Sequence, residues 1–214
     1  MPAIPSAQPV ARGRHAPPPE VRLPLQRERL LQAAAAEFAQ RGYAGASSDS
    51  ISRRAAMSKA TFYEHFTNKE ECIVALFDTA ALAIARTMTE AARGAGPRDA
   101  AARMNAATRA FLSAVASHPE YAQTLLVEII GAGPNAARRR DQIVQRFAEL
   151  LEAENAATGG RGLIGRFASP LDAFAVVGAI IELVSRQVRL GDPADVLELA
   201  PVIDRLLTGM LADR

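Results

Sequence analysis

Apolar residues recur along most of this 214-residue chain at the three- to four-residue spacing of amphipathic helices. No segment sustains the alternation of apolar and polar residues that marks a half-buried strand. Alanine and leucine dominate, and apolar residues make up 49% of the chain whereas aromatic residues make up 5%. The pattern therefore predicts an all-α protein that can bury a substantial core.

Residues that begin and end helices divide the chain into segments. A first helix is predicted over 27–41 and ends at Gly42, which we expect to be a left-handed C-cap. Two short helices follow and are joined by a three-residue turn. Prolines at first-turn positions mark later starts, and the predicted helices are 47–54, 58–65, 69–93, 97–117, 119–131, 134–157, 170–190 and 193–213. An alternative start near Ala200 avoids the kink that Pro201 would introduce into the last helix.

The two short helices have clearly different faces. Ser47 and Ser58 are hydroxyl residues that can cap their first turns. In the second helix, Phe62 and Phe66 are four residues apart and form an apolar stripe that faces the core. The opposite face is polar, and its hydrogen-bond donors are Lys59, Thr61, Tyr63 and His65. This arrangement is typical of a helix-turn-helix, whose second helix enters the major groove of DNA.

Residues 26–77 resemble the DNA-binding region of the TetR family of bacterial transcriptional regulators. The matching residues are Gly42-Tyr43, Ser58-Lys59-Ala60-Thr61-Phe62-Tyr63, His65-Phe66 and Lys69-Glu70-Glu71. The resemblance implies a three-helix helix-turn-helix domain followed by a larger helical domain for effector binding and dimerisation. It also implies that double-stranded DNA is bound by Ser47, Ser48, Ser58, Lys59, Ala60, Thr61, Tyr63, His65 and Lys69.

Some positions depart from the family pattern. Ala46 and Ser48 stand where the family usually has a threonine and an apolar residue, so the second helix could begin elsewhere. Ala56 replaces a common glycine, and alanine costs about 1 kcal/mol there if the turn needs a positive φ. Cys72 replaces a bulky aliphatic residue. We interpret it as a small buried residue, with a redox switch as the alternative.

Basic charge is concentrated at the N-terminal end of a chain whose net charge is only +2. Residues 1–24 contain three Arg and one Glu, residues 25–70 contain seven Lys and Arg and five acids, and the remainder has a net charge of −2. Residues 1–24 also hold seven of the 13 prolines. They are predicted to be a disordered tail. In the alternative interpretation, the tail arginines Arg12, Arg14 and Arg22 form an arm along the minor groove.

The helices predicted at 170–190 and 193–213 have apolar residues on more than one side, so one side can face a partner. An ordinary buried helix pair within one monomer is the alternative. The resemblance favours a homodimer built from these two helices, which would bind a palindromic operator. The predicted interface residues are Phe174, Val177, Gly178, Ile181, Val184, Val188, Ile203, Leu207 and Met210.

The resemblance further implies an effector cavity between the DNA-binding domain and the dimer helices. Candidate lining residues are Phe111, Val115, Tyr121, Leu125, Glu128, Ile129, Phe147 and Phe174. Each apolar member could instead be simple core packing, and Glu128 could lie on a solvated face or in an ion pair. Such a wall indicates a hydrophobic or aromatic effector. The run Arg138-Arg139-Arg140 reads as a solvated helix face, with anion binding as the alternative.

These observations predict a cytoplasmic, sequence-specific transcriptional regulator, which in this family is most often a repressor released by a small molecule. The predicted division is a tail at 1–24, a DNA-binding domain at 25–70, and an effector-binding and dimerisation domain at 71–214. The three histidines have no motif-level partner, so we expect no enzyme, metal or cofactor. One cysteine forms no internal disulfide, and we expect no membrane span. A ligand-binding carrier or enzyme without operator binding is the alternative function.

Overall fold

The computed structural model describes residues 18–96, 99–158 and 167–210, and every regular element within these ranges is helical. The prediction of an all-α fold is confirmed for this part of the chain. In chain order the helices are α1 (Pro19–Gly45), α2 (Ser48–Arg54), α3 (Lys59–His65), α4 (Lys69–Gly94), α5 (Ala100–Ser117), α6 (Pro119–Leu126), α7 (Pro134–Thr158), α8 (Pro170–Leu190) and α9 (Ala200–Gly209). Short 3-10 helices lie at Glu128–Gly131 and Val196–Leu199.

Helix α1 begins earlier than the sequence predicted. Pro19 occupies its first turn, where a missing N–H is tolerated, and Pro24 lies inside the helix. Residues 19–24 are therefore helical, and assigning them to a disordered tail was wrong. The rest of the predicted tail, with Arg12 and Arg14, lies outside the described residues.

The predicted C-cap at Gly42 is right in φ and wrong in ψ. Gly42 has φ 70° and ψ 163°, so it breaks α1 with an extended ψ and not with a left-handed helical one. The reason is that the chain enters a further turn in a new direction, in which the Ala46 N–H donates to the Gly42 carbonyl. A positive φ at this break still favours glycine.

The turn between α2 and α3 is a Schellman motif. The Met57 N–H donates to the Ser52 carbonyl at 2.9 Å, and the Ala56 N–H donates to the Arg53 carbonyl at 3.0 Å. Ala56 itself has φ 53°, in the left-handed region. The turn thus needs a positive φ where the sequence provides alanine, which is a local strain of about 1 kcal/mol.

Helices α1, α2, α3 and the start of α4 share one core, which is centred on Phe38, Phe62 and Phe66. Cys72 through Phe77 also pack into it, so the predicted boundary at residue 70 falls inside a continuous structural unit. We refer to residues 19–77 as the N-terminal module and to residues 78–210 as the C-terminal body. Leu125, Ile129 and Ala136 of the body pack against the module core. The module and the body are therefore in direct apolar contact.

Helix α4 connects the two units. It contains an 18-residue window with a mean hydropathy of 1.5, so by length and composition alone it could cross a membrane. The expectation of no membrane span stays a prediction, since α4 meets this criterion by length and composition only. In the fold α4 packs against α1, α5 and α7 as a core helix. A helix that is apolar on several sides is typical of such a position.

Three later helices differ from their predicted spans. Helix α6 ends at Leu126, and the chain continues as the 3-10 helix Glu128–Gly131. Helix α5 begins at Ala100, three residues later than predicted, because Asp99 is its N-cap and accepts a hydrogen bond from the Ala102 N–H at 2.9 Å. The last helix begins at Ala200 with Pro201 in its first turn, so the alternative start is confirmed and the start at 193 was wrong. The physical reason is that proline is tolerated in a first turn and breaks a helix interior.

Candidate DNA-binding face and effector cavity

Helix α3 presents a polar face outward because its apolar face is anchored firmly. Phe62 and Phe66 are completely or almost completely buried. Ser58 caps the helix, since its hydroxyl accepts a hydrogen bond from the Thr61 N–H at 3.0 Å. Lys59 and Ala60, at the start of the helix, are exposed. The structure thus places this pair on the accessible surface, as predicted for a recognition helix.

The hydroxyl groups of Ser48 on α2 and Tyr63 on α3 lie 3.1 Å apart. Tyr63 is 50% exposed, and Ser47 caps α2 in a capping box with Ser50. The predicted start of α2 is therefore confirmed despite the departures at Ala46 and Ser48. Two adjacent hydroxyls on neighbouring helices can together contact one phosphate group.

The position of α2 is held by a buried carboxylate of α1. Glu37 is 3% exposed, and Arg54 of α2 donates to it from Nε at 2.6 Å, while Arg41 lies 3.3 Å away. Burial opposes ionisation, but the bond from Arg54 and the charge of Arg41 outweigh it and lower the pKa of Glu37. Arg29 of α1 also donates to the Ala55 carbonyl at 2.8 Å. These contacts fix α2 against α1.

Two predicted DNA-binding residues are engaged inside the protein. The Lys69 ammonium donates to the Tyr43 carbonyl at 2.6 Å and to the Ala46 carbonyl at 3.0 Å, and burial lowers its pKa. The prediction that this ammonium contacts phosphate is therefore not supported by its position. His65 is partly buried and lies 3.4 Å from the Gln26 side chain, and its pKa is lowered mainly by burial. It faces the start of α1.

Sequence reasoning missed Glu64, which is exposed one turn after Ala60 on the outer face of α3. Helical periodicity would have placed it there, but a carboxylate was not expected on a DNA-binding face. A carboxylate can accept a hydrogen bond from the amino group of cytosine in the major groove. Cys72 is completely buried, and burial raises the pKa of its thiol to about 12. This agrees with a structural role and opposes a redox switch.

The backbone of Tyr43 forms one of the polar connections between the module and the body. Its N–H donates to the Glu128 carboxylate at 2.7 Å, while its carbonyl accepts from Lys69. Gln123 donates to the other Glu128 oxygen at 3.1 Å. Glycine is favoured at position 42 by its φ of 70°, since an added Cβ would meet the carboxylate at 3.4 Å, an ordinary van der Waals distance. Glu128 is thus a structural connection, and it is not among the residues that line the cavities described below.

A second carboxylate, that of Glu70 at the start of α4, caps the N-terminus of α7. Its Oε1 accepts hydrogen bonds from the backbone N–H groups of Asn135 at 2.7 Å and Ala136 at 3.3 Å. The Asn135 side chain bonds the other oxygen, and these bonds lower the pKa of Glu70. An anion at a helix N-terminus is favourable. Gly133 leaves the space, since a Cβ there would lie 2.6 Å from Glu70 Oε1.

The body contains a cavity of about 430 Å³ between α4, α5, α7 and α8. Its wall is mainly apolar, and its charged members are Arg103, Arg140 and Glu154. Three of the predicted lining residues, Phe111, Leu125 and Phe147, are part of this wall. An apolar cavity of this size with few polar groups is typical of a small-molecule site.

A second cavity of about 310 Å³ adjoins the first and reaches α1. Two further predicted residues, Val115 and Tyr121, line this one. The two cavities share part of their walls, formed by Ile84, Phe111, Leu125 and Leu126. The remaining two predicted residues line neither cavity, since Ile129 is buried in the module core and Phe174 is 42% exposed on α8. Sequence periodicity could not assign these residues, since both lie on apolar stripes.

The predicted dimer residues fall into two groups. Val177, Val184, Ile203 and Leu207 are buried within the monomer, so their place at an interface stays a prediction to which their burial gives no support. Their stripes face the other helices of the body. Ile181 and Val188 are partly buried and pack against body core clusters. Phe174 and Met210 are exposed and Gly178 is partly exposed, and Leu171 and Leu190 of α8, which were not predicted, are 75% and 63% exposed.

Comparisons with known proteins agree with this geometry. A family model described as bacterial regulatory proteins of the tetR family matches residues 30–76. The match covers most of the N-terminal module, including α2, α3 and the turn at Ala56. It ends one residue before the end of the module, inside α4.

Solved structures of regulators share the fold over nearly their whole length. The fatty acid degradation regulator FadR from Bacillus halodurans is 19% identical with a TM-score of 0.78, over 88% of this chain and 97% of that chain. FadR from Bacillus subtilis in complex with stearoyl-CoA is 19% identical with a TM-score of 0.75, over 86% and 98%. A tetR-family protein from Rhodococcus is 21% identical with a TM-score of 0.69, over 88% and 98%. At such identities the likeness establishes the fold.

Proposed function

The chain belongs to the tetR family of bacterial regulatory proteins by its DNA-binding region, and from this premise we propose that it is a homodimeric regulator of transcription released from a palindromic operator by a hydrophobic small molecule. The observation that carries the proposal is the outer face of α3. This helix is capped, anchored by two buried phenylalanines, and exposed at Lys59 and Ala60. A rigid, accessible helix of this kind can read base edges in the major groove. Such a regulator acts in the cytoplasm, where the operator is.

The contacts to DNA divide into two types. Lys59 and Thr61 lie on the outer side of the first turn of α3 and are proposed to contact bases. Ser48 and Tyr63, whose hydroxyls lie together, are proposed to position the module on a phosphate. Lys69 is proposed to support the site indirectly, because its ammonium holds the end of α1.

The route from effector to DNA is proposed to run through α6. Leu125 and Leu126 line both cavities, and Glu128, two residues further on, bonds the Tyr43 N–H. A ligand that displaces these leucines moves the carboxylate that holds the end of α1. The contact between Glu128 and the Tyr43 N–H then differs between the ligand-free and the ligand-bound protein. Coupling between two sites requires such a difference. The stearoyl-CoA in the Bacillus subtilis structure illustrates an effector with a long apolar part.

Dimer formation is proposed to use the accessible face of α8 and α9, on which Leu171, Phe174, Gly178 and Met210 lie. Gly178 offers a clean test, because an added Cβ meets nothing within 4 Å in the monomer. Gly178→Glu should therefore leave the fold intact and produce a monomer by light scattering. Gly178→Ala is the matched control and should remain dimeric. A Gly178→Glu protein that stays dimeric would exclude this face.

The decisive experiment for the function is selection of binding sites from random DNA with the purified full chain at fixed salt. An enriched inverted repeat is expected, and the base preference should change in Lys59→Ala and Thr61→Ala. Tyr63→Phe should weaken binding to all sequences equally, because phosphate contacts carry no sequence information. Selection without any enrichment, from protein that is folded and dimeric, would favour the alternative of a ligand carrier or enzyme that does not bind an operator.

A further inference from the structure

The effector cavity is elongated. Helix α4 lines it from Phe77 to Ala92, and α7 lines it from Arg140 to Glu154. At a rise of 1.5 Å per residue, each of these stretches is roughly 20 Å long. A volume of about 430 Å³ spread over that length fits an extended alkyl chain better than a compact ring system.

The two ends of the cavity differ in charge. At the far end, Arg103 donates from Nε to the Glu154 carboxylate at 2.5 Å, so the two charges neutralise each other. At the end near the N-terminal module, Arg140 has a single carboxylate neighbour among the described residues, Asp141 at 3.5 Å. The Asp141 side chain is 77% exposed, so water screens its charge. Arg140 thus keeps a positive charge at an apolar wall.

Arg140 differs in this respect from the other two arginines of its run. Arg139 bonds Asp78 of α4 at 2.5 Å, and Arg138 bonds Asn135 at 2.5 Å and is exposed. Of the three, Arg140 is the one that lines the cavity. The run is therefore not a uniform solvated face, and its third member has the position of a ligand-binding group.

We propose that Arg140 binds the anionic head group of an elongated amphiphile, whose alkyl chain lies between α4 and α7 and points toward Met88 and Met104. The guanidinium can form two parallel hydrogen bonds to a carboxylate or a phosphate. Apolar side chains line the cavity beside Arg140, whose side chain is 32% exposed, so water screens this charge pair less than it screens a pair on the open surface. This inference rests on the proposed function, since it names the chemical class of the effector in the same cavity.

The test is calorimetric titration of the full-length protein with decanoate, decan-1-ol and decanoyl-coenzyme A. Arg140→Gln should bind the anionic ligands about 10- to 100-fold more weakly, which is the range for a hydrogen bond to a charged group. It should bind decan-1-ol as the unchanged protein does. Arg140→Lys should restore part of the affinity for the anions.

Arg138→Gln is the matched control, because it removes the same charge from the same helix outside the cavity. It should bind all three ligands normally. Thermal unfolding of each variant shows whether the fold is retained. Loss of decanoate binding by Arg140→Gln supports a carboxylate head group, and loss confined to decanoyl-coenzyme A supports a phosphate one. Equal loss for decan-1-ol, or no loss for either anion, would overturn the proposal.

Operator binding by the ligand-free proteins separates this inference from the proposed function. All the arginine variants should bind the selected operator as the unchanged protein does. If the unchanged protein binds decanoate through Arg140 but no operator, the head-group assignment stands and the regulator function fails. If the unchanged protein binds an operator, but none of the three ligands binds the protein or releases it from the operator, the function stands and the head-group assignment fails.

Discussion

The N-terminal module and the C-terminal body are stabilised in different ways. The module has aromatic residues that are fully buried, capped short helices, and directional contacts such as Arg54 to Glu37. The body has long helices whose apolar faces surround two adjoining cavities. A packed module keeps a recognition face in one geometry, whereas a partly empty body can repack around a ligand. Rigidity is therefore located in the module and adaptability in the body of the same chain.

The largest expected effect contrasts an aromatic residue in each region. Phe62→Ala removes a completely buried side chain and should lower the free energy of unfolding by about 3–5 kcal/mol. Phe111→Ala enlarges existing cavities at a partly accessible position and should cost clearly less. Urea denaturation of both variants measures the difference. Equal losses would contradict the view that the body is less tightly packed.

A smaller effect is expected at the buried carboxylate of the module. Glu37→Gln keeps the shape but removes the charge that Arg54 and Arg41 face, and it should cost about 1–3 kcal/mol at neutral pH. The folded-state pKa of Glu37 lies below its ordinary value of 4.5, so the ionised form stabilises the fold above that pH.

This stabilisation should disappear as the pH falls below about 4.5 and through the folded-state pKa. Unfolding of the unchanged protein and of Glu37→Gln should therefore converge in acid. Glu149→Gln, on an exposed position of α7, is the control and should differ little at any pH. A constant gap between the Glu37 variant and the unchanged protein at all pH values would argue against this carboxylate as the source.

Next in size is the contact between the two regions. Glu128→Ala removes the acceptor of the Tyr43 N–H and should reduce the effector-induced loss of operator affinity by about 5- to 10-fold. Operator binding without effector should change less. Fluorescence anisotropy with labelled operator, with and without ligand, measures both quantities. Glu120→Ala, exposed on α6, is the control, and an unaltered response in Glu128→Ala would remove this residue from the coupling route.

The smallest effect has the opposite sign. Ala56→Gly relieves the positive φ in the turn between α2 and α3 and should stabilise the protein by up to about 1 kcal/mol, or about 2–4 °C in Tm. Ala55→Gly, at the preceding residue with φ −72°, gains nothing from such relief and should be destabilising. Calorimetric Tm values that fall for both variants would show that the turn is not strained.

Local signals predicted the N-terminal module well. Ser47 and Ser58 cap the helices that their positions indicated, because a cap depends on residues within one turn. The start of α1 was missed because its prolines suggested disorder, although Pro19 occupies a tolerated first-turn position and the helix also accommodates Pro24 in its interior. The contacts of Lys69 could not be foreseen, since its partners at Tyr43 and Ala46 are more than twenty residues away.

The helical class, the two short helices with their outward face, and the spacing of the apolar stripes could all be predicted from the sequence. Each of these properties depends on neighbours within a turn or two. Tertiary structure decided which stripe faces what. Val184 and Ile203 are buried, and Leu171 is exposed. Of the run Arg138-Arg139-Arg140, Arg140 is the residue that lines the cavity. Periodicity defines the faces of a helix but does not say whether a face meets a core, a cavity or a partner. That choice depends on helices brought together from distant parts of the chain.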